Sequence, residues 1–260
     1  TDPSIRALAG ALAKRILSVP FNLVPEGRVK FWLRAAAART RASIPPEFLV
    51  SAGETVVLVG FHRIDSVMLW SHLVGAKGKV ILIEAVPEYV ENIRRNLEHH
   101  LNWRLRNIVY VAKGVDSKRG RSQIQVGAVA DYNKLAARAV DDGLTDADYV
   151  RQLEIETETI DEILEGLQVA NVDHIHMTIS GLEVEALKGM PRTLESDGLR
   201  ACVRSLHAQG GELLYPKVVE IFDRCGMKTL ICRGSAQFKG RDIYAARIER
   251  RRGHVADEAR

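Results

Sequence analysis

A chain of 260 residues, 46% hydrophobic and 27% charged, is long enough to bury its own core without disulfides or a structural metal. It contains no run of about 18 apolar residues, which argues against a transmembrane helix. Its net charge of +4 is unevenly spread. Residues 1–45 carry 8 basic and 2 acidic side chains, residues 233–260 carry 8 and 4, and the stretch between carries 21 and 27. Basic ends flanking an acidic middle point to a solvated helix face or to contact with an anionic partner such as lipid headgroups. Cys202, Cys225 and Cys232 form no C-x-x-C pair and lie among apolar neighbours. They are expected as small buried hydrophobes, which fits a reducing, cytoplasmic setting. Thr1 in place of an initiating Met implies processing or excision, so any signal peptide lies outside the sequence.

Residues 1–46 are expected to form a basic helical appendage. Ile5, Leu8, Leu12 and Ile16 recur at helical spacing, Pro20 and Pro25 interrupt the pattern, and 26–42 gives a second basic helix carrying Phe31, Trp32 and Leu33. Such helices either pack on the next domain or lie on a membrane surface. Pro45-Pro46 closes the region. From 47 to 250 strands and helices alternate, which predicts a mostly parallel sheet covered on both faces. Strands are expected at Thr55–Val59, Lys79–Ile83, Asn107–Ala112, Val172–Ile179 and Arg200–Leu206. Helices are expected at Ser66–Val74, Glu88–His99, Ile160–Leu167, Glu183–Glu195 and Tyr215–Cys225. Between 113 and 155 a hairpin or loop around Gly120 precedes a polar helical stretch at 133–151. Strands at 227–233 and 241–248, joined by a short polar segment, suggest an antiparallel terminal pair. Residues 251–260 form a basic polar tail.

Three segments carry chemistry. In VVLVGFHRIDS (56–66) a strand ends at Gly60 and leads into a helix, the way a doubly wound sheet makes a cofactor crevice. A lone glycine there is also ordinary turn chemistry, and Ile64 leaves no room for a dinucleotide pyrophosphate. In KVILIEAVPEYVENIRRNLE (79–98) Glu84 stands at the end of the second strand, about twenty residues past Gly60, where a carboxylate accepts from both hydroxyls of a ribose. Its alternative role, capping the next helix, suits Glu88 better. In NVDHIHMTISGLEVEALKGM (171–190) a strand passes through Ser180-Gly181 into a helix, at the neighbouring edge where substrate chemistry belongs.

The order and spacing of VGFHRID (59–65), IEAVPEYVENIRRNL (83–97), ETETIDEIL (156–164) and HMTISGLEVEALKGM (176–190) resemble the FkbM family of S-adenosylmethionine-dependent methyltransferases over roughly residues 48–232. The resemblance implies a Rossmann-like class I methyltransferase fold and S-adenosylmethionine as cofactor. It places Gly60, Phe61, His62, Asp65 and Ser66 in the cofactor loop, Glu84 with Ala85 at the ribose, and Gly114 and Val115 beside the adenine. The chain departs from the family pattern at six positions. Ile64 replaces the loop's second glycine, Leu58 replaces its acidic residue, and Phe61 replaces its small one. The family's D-x-E-G carboxylates are Thr178 and Ser180 here, and its preceding lysine is His176.

Thr178 and Ser180 hydrogen-bond but do not serve as bases, so a hydroxyl acceptor would need another proton sink; His62, His176 and His207 are the candidates. Each is also a candidate packed, hydrogen-bonded histidine. His174 and His176 share a strand face without a nearby third metal ligand. The cluster Asp141, Asp142, Asp146 and Asp148 reads as a solvated face. The first functional expectation is an O-directed methyltransferase acting on a sugar, lipid-linked or natural-product acceptor. The alternative is a catalytically degenerate member acting as a scaffold, motivated by Thr178, Ser180, Ile64 and Phe61. Nucleic acid as a partner is disfavoured, because only Trp32 with Arg28, Lys30 and Arg34 approaches a basic aromatic stripe.

Overall fold

The computed structural model describes residues 48, 50–60, 64–100, 106–127, 134–135, 149–233 and 241–247. The expected helices within 1–46, the aspartate cluster at 141–148 and the tail at 251–260 lie outside them.

The central sheet has seven strands in the order β12-β13-β9-β8-β1-β2-β3. Five of these are mutually parallel: β1 (Thr55–Gly60), β2 (Lys79–Glu84), β3 (Ile108–Ala112), β8 (His174–Thr178) and β9 (Arg200–Ser205). The last two, β12 (Lys228–Arg233) and β13 (Arg241–Ala246), join as the expected antiparallel pair, with β13 seated against β9. From β1 the chain goes on to β2 and β3 on one side, and β8 and β9 fill the other, so the order reverses between β1 and β8. In open α/β sheets ligands bind at the carboxyl ends of the strands beside such a reversal.

Alternation along the strands sorts side chains to two faces. Val56, Leu58, Val80 and Leu82 pack under α1 (Ile64–Val74) and α2 (Pro87–His100). Val57, Val59, Ile81, Ile83, Ile175 and Met177 face the other way. There they meet α3 (Ile160–Gly166), α4 (Glu183–Lys188), α5 (Pro191–Leu194) and α6 (Tyr215–Arg224). Strands buried on both faces need apolar residues at every position, which is why their sequences are continuous Val/Ile/Leu runs. Fully burying Phe222 and Leu58 (both 0% exposed) contributes about 1.5–3 kcal/mol each.

The helix expected at Glu183–Glu195 is two helices. Pro191 has no N–H to donate to the Leu187 carbonyl, so a continuous helix loses a bond there and the chain restarts with Pro191 at the first position of α5. Gly189 caps α4, and a Cβ on it would lie 2.3 Å from the Asp116 carbonyl oxygen, so the break also admits a neighbouring loop. Asp161, 7% exposed, fastens the new helix: its carboxylate accepts from the Arg192 N–H at 2.8 Å, the Thr193 N–H at 3.1 Å and the Thr193 hydroxyl at 2.5 Å. Thr159 and Glu162 form a reciprocal capping box at the start of α3.

The region 113–155 departs most from expectation. It builds a second sheet, in the order β4-β7-β5-β6, from β4 (Gly114–Val115), β5 (Gly120–Gly127), β6 (Lys134–Leu135) and β7 (Tyr149–Glu158). The two described ends of the expected 133–151 helix are strand, and 136–148 lies outside the described residues. β7 alternates Ile155 and Thr157 inward with Glu154 and Glu156 outward, a period of two whose strand runs back through Tyr149–Arg151, the end of the expected helix. Val86 joins Ile124, Val126 and Ile155 in a small core under this sheet. A short hairpin of β10 (Ala208–Gln209) and β11 (Glu212–Leu213) follows β9.

Candidate active site

Gly60 ends β1 in register with Thr178 at the end of β8. It has φ +86°, and a Cβ there would lie 2.0 Å from the Thr178 carbonyl oxygen. The glycine is therefore required by the close apposition of β1 and β8, and its left-handed backbone turns the chain away from the sheet toward α1. Phe61 and His62 lie outside the described residues. Asp65 and Ser66 fall in the first turn of α1, and Ser66 is half-buried.

Glu84 ends β2, one residue past the Val59–Ile83 pairing, which sets it beside Gly60. It is 4% exposed. Its Oε1 accepts the Val86 N–H at 2.9 Å. Burial pushes its carboxyl up to about 7, against the smaller opposing pull of the Val86 and Ala85 N–H groups. The two N–H groups do not offset the burial; further donors stabilise the anion, and a ribose supplies two hydroxyls. Ala85 is half-buried against the second-sheet core. Glu88 does not cap α2 alone; it pairs with Arg151 of β7 at 3.0 Å.

Gly114 and Val115 form β4, alongside Thr157 and Glu158 of β7. A Cβ on Gly114 would meet the Ile155 Cδ1 at 2.7 Å, and the Val115 side chain, 4% exposed, packs into the main core. His176 and the buried His174 lie over Trp70 of α1, with ring centroids 5.9 and 5.1 Å away. Burial, aided by Arg200, holds His174 down at about 3, so it is a neutral packed residue.

Beyond Thr178 and Ser180, both half-buried, the chain turns at Gly181 (φ +80°). The Gly181 N–H donates to Glu183 Oε1 at 3.2 Å. Glu183 is 0% exposed, and His207, from the loop after β9, sets its Nδ1 3.8 Å from the same oxygen. Glu183 Oε2, His207 Nδ1 and Ser205 Oγ are all buried without a hydrogen-bond partner. The structure thus brings His207 together with Glu183, which the sequence reading placed only at the start of a helix. The one local signal was an acidic residue, Glu183, inside the apolar run GLEVEAL.

A family model, the Methyltransferase FkbM domain, matches residues 53–228. The chain belongs to the FkbM methyltransferase family. Its cofactor is S-adenosylmethionine, a methyl donor. Among solved structures, the fibrillarin pre-rRNA processing protein of Methanococcus jannaschii superposes with a TM-score of 0.50 at 11% identity, over 83% of this chain and 74% of that one. That likeness concerns the fold. An O-methyltransferase from Bacillus cereus in complex with SAH gives 0.46 at 12% identity, over 91% and 97%. The precorrin-6y C5,15-methyltransferase of Geobacter metallireducens GS-15 gives 0.46 at 14%, over 86% and 91%. No curated protein sequence matches the chain. Among the described residues, no helix is long and apolar enough to cross a membrane.

Proposed function

We propose that this chain transfers a methyl group from S-adenosylmethionine to the oxygen of a hydroxyl acceptor: a sugar, a lipid-linked glycan or a related natural product. The observation that carries the cofactor half of this reading is Glu84, a buried carboxylate held at the end of β2, one strand from the order reversal, and pushed up to about 7 by that burial. When bound, the cofactor supplies a methyl group on a positively charged sulfur, and its departure leaves a neutral thioether. The chain's own part is to hold the ribose through Glu84, to present the acceptor near Thr178 and Ser180, and to take up the acceptor's proton. Positioning contributes heavily to such a displacement. The excess of basic side chains in 1–45 and 233–260 favours an acceptor displayed near an anionic lipid surface.

Calorimetric titration with S-adenosylmethionine and with its demethylated product tests this reading. The wild type is expected to bind both. Glu84→Ala, checked for folding by circular dichroism, is expected to weaken binding about tenfold or more, since it removes charge-assisted bonds of about 1.5–3 kcal/mol. Absence of wild-type binding at millimolar ligand would overturn it.

A further inference from the structure

Glu183 and His207 meet beyond the carboxyl ends of β8 and β9, and each has a buried polar atom without a partner, Glu183 Oε2 and His207 Nδ1, as does Ser205 Oγ at the end of β9. A carboxylate with no exposed surface and only one donor at 3.2 Å is costly to keep. So is a buried imidazole nitrogen with nothing to bond. The two groups are neighbours: His207 Nδ1 is 3.8 Å from Glu183 Oε1, the oxygen that also accepts the Gly181 N–H, and an approach of under about 1 Å would make a hydrogen bond. Apo sites commonly hold such contacts long and tighten them on substrate binding. The His207 side chain is 21% exposed while its Nδ1 is buried, so the solvent-facing part of the ring belongs to its other atoms.

Resting on the methyl-transfer reading above, we infer that His207 is the catalytic proton acceptor of this domain and Glu183 its positioning residue. Glu183 accepts the Nδ1–H and so fixes the tautomer in which Nε2 carries a free lone pair. The acceptor hydroxyl gives its proton to Nε2 while its oxygen gains the methyl group, and the imidazolium later returns the proton to water. Ser205 lies at the end of β9, two residues before His207, and its Oγ is buried without a partner. This pair replaces, from a different strand end and a helix start, the proton-taking capacity that Thr178 and Ser180 lack.

The test uses the ligand-free full chain. Long-range proton–nitrogen correlation spectra of the imidazoles report which ring nitrogen of His207 is protonated. In the wild type at a pH where the ring is neutral, His207 is expected as the Nδ1–H tautomer. Glu183→Gln is expected to lose that preference, the unprotonated nitrogen signal moving to Nδ1. Acylation of Nε2 by diethyl pyrocarbonate, followed by mass spectrometry, is expected to slow in the same variant. A wild-type His207 protonated on Nε2, or a tautomer indifferent to Glu183→Gln, overturns the inference. The wild-type spectrum decides even if the variant does not fold. Failure of the methyl-transfer reading shows instead as absent cofactor binding, with the tautomer unchanged.

Discussion

Because burial lifts Glu84 to about 7, its carboxyl is about half protonated at neutral pH. The ionised form is much the better acceptor for ribose hydroxyls, so binding S-adenosylmethionine should drive a proton off. If the bound carboxyl returns near the ordinary carboxylate range, uptake of ligand releases about 0.9 proton at pH 6, about 0.5 at pH 7 and about 0.1 at pH 8. The ionised fraction rises about tenfold between pH 6 and pH 8, and the affinity should rise with it. Calorimetry in phosphate and in Tris, whose ionisation enthalpies differ, counts the protons directly. Glu84→Gln should abolish the release and flatten the affinity. A flat Kd from pH 6 to pH 8 in the wild type, or the same slope in Glu84→Gln, would refute the reasoning. The unliganded protein carries the complementary sign. Its folded state holds the Glu84 proton more tightly than the unfolded chain does. That contribution is full below about pH 4.5 and is lost as pH rises through about 7, a span of about 3 kcal/mol.

Two substitutions probe the frame around the site. Gly60→Ala combines a left-handed φ with a Cβ 2.0 Å from a backbone oxygen, so it should cost about 2–5 kcal/mol in denaturant unfolding; a change under about 0.5 kcal/mol would show that β1 and β8 separate easily. Asp161→Ala strands three donors on α5 and should cost about 2–4 kcal/mol, read as a lower melting temperature; an unchanged melting curve would contradict the fastening role.

The central sheet was legible because its strands are buried on both faces, and only unbroken apolar runs such as VVLV or VILI satisfy that. Glu84 was legible for a related reason: a single charge ending such a run has few roles open to it. The second sheet was not. The Asp and Arg of 133–151 draw the eye to a polar helix, while the strand period set by the inward Ile155 and Thr157 begins only beyond its end. Pro191 in KGMPRTL was a visible break that the apolar spacing on either side masked. The meeting of Glu183 with His207 was hidden for a deeper reason. Twenty-odd residues and a whole strand separate them, and only the parallel pairing of β8 with β9 brings their ends together.

The position of β13 bears on how the chain is made. It comes after every other described strand yet lies inside the sheet, between β9 and β12, with Ile243 and Ala245 at 0% exposure. During synthesis β1, β2, β3, β8 and β9 emerge first, and β9 then presents a bare edge of N–H and C=O groups. A ribosome-bound intermediate of this protein is thus an open-edged sheet with β12 held apart from β9. Closure is the insertion of β13 against β9, which brings in β12, paired among the described strands with β13, as the new rim. The interval before that insertion is the time when the nascent chain is most exposed to pairing with a neighbour's edge.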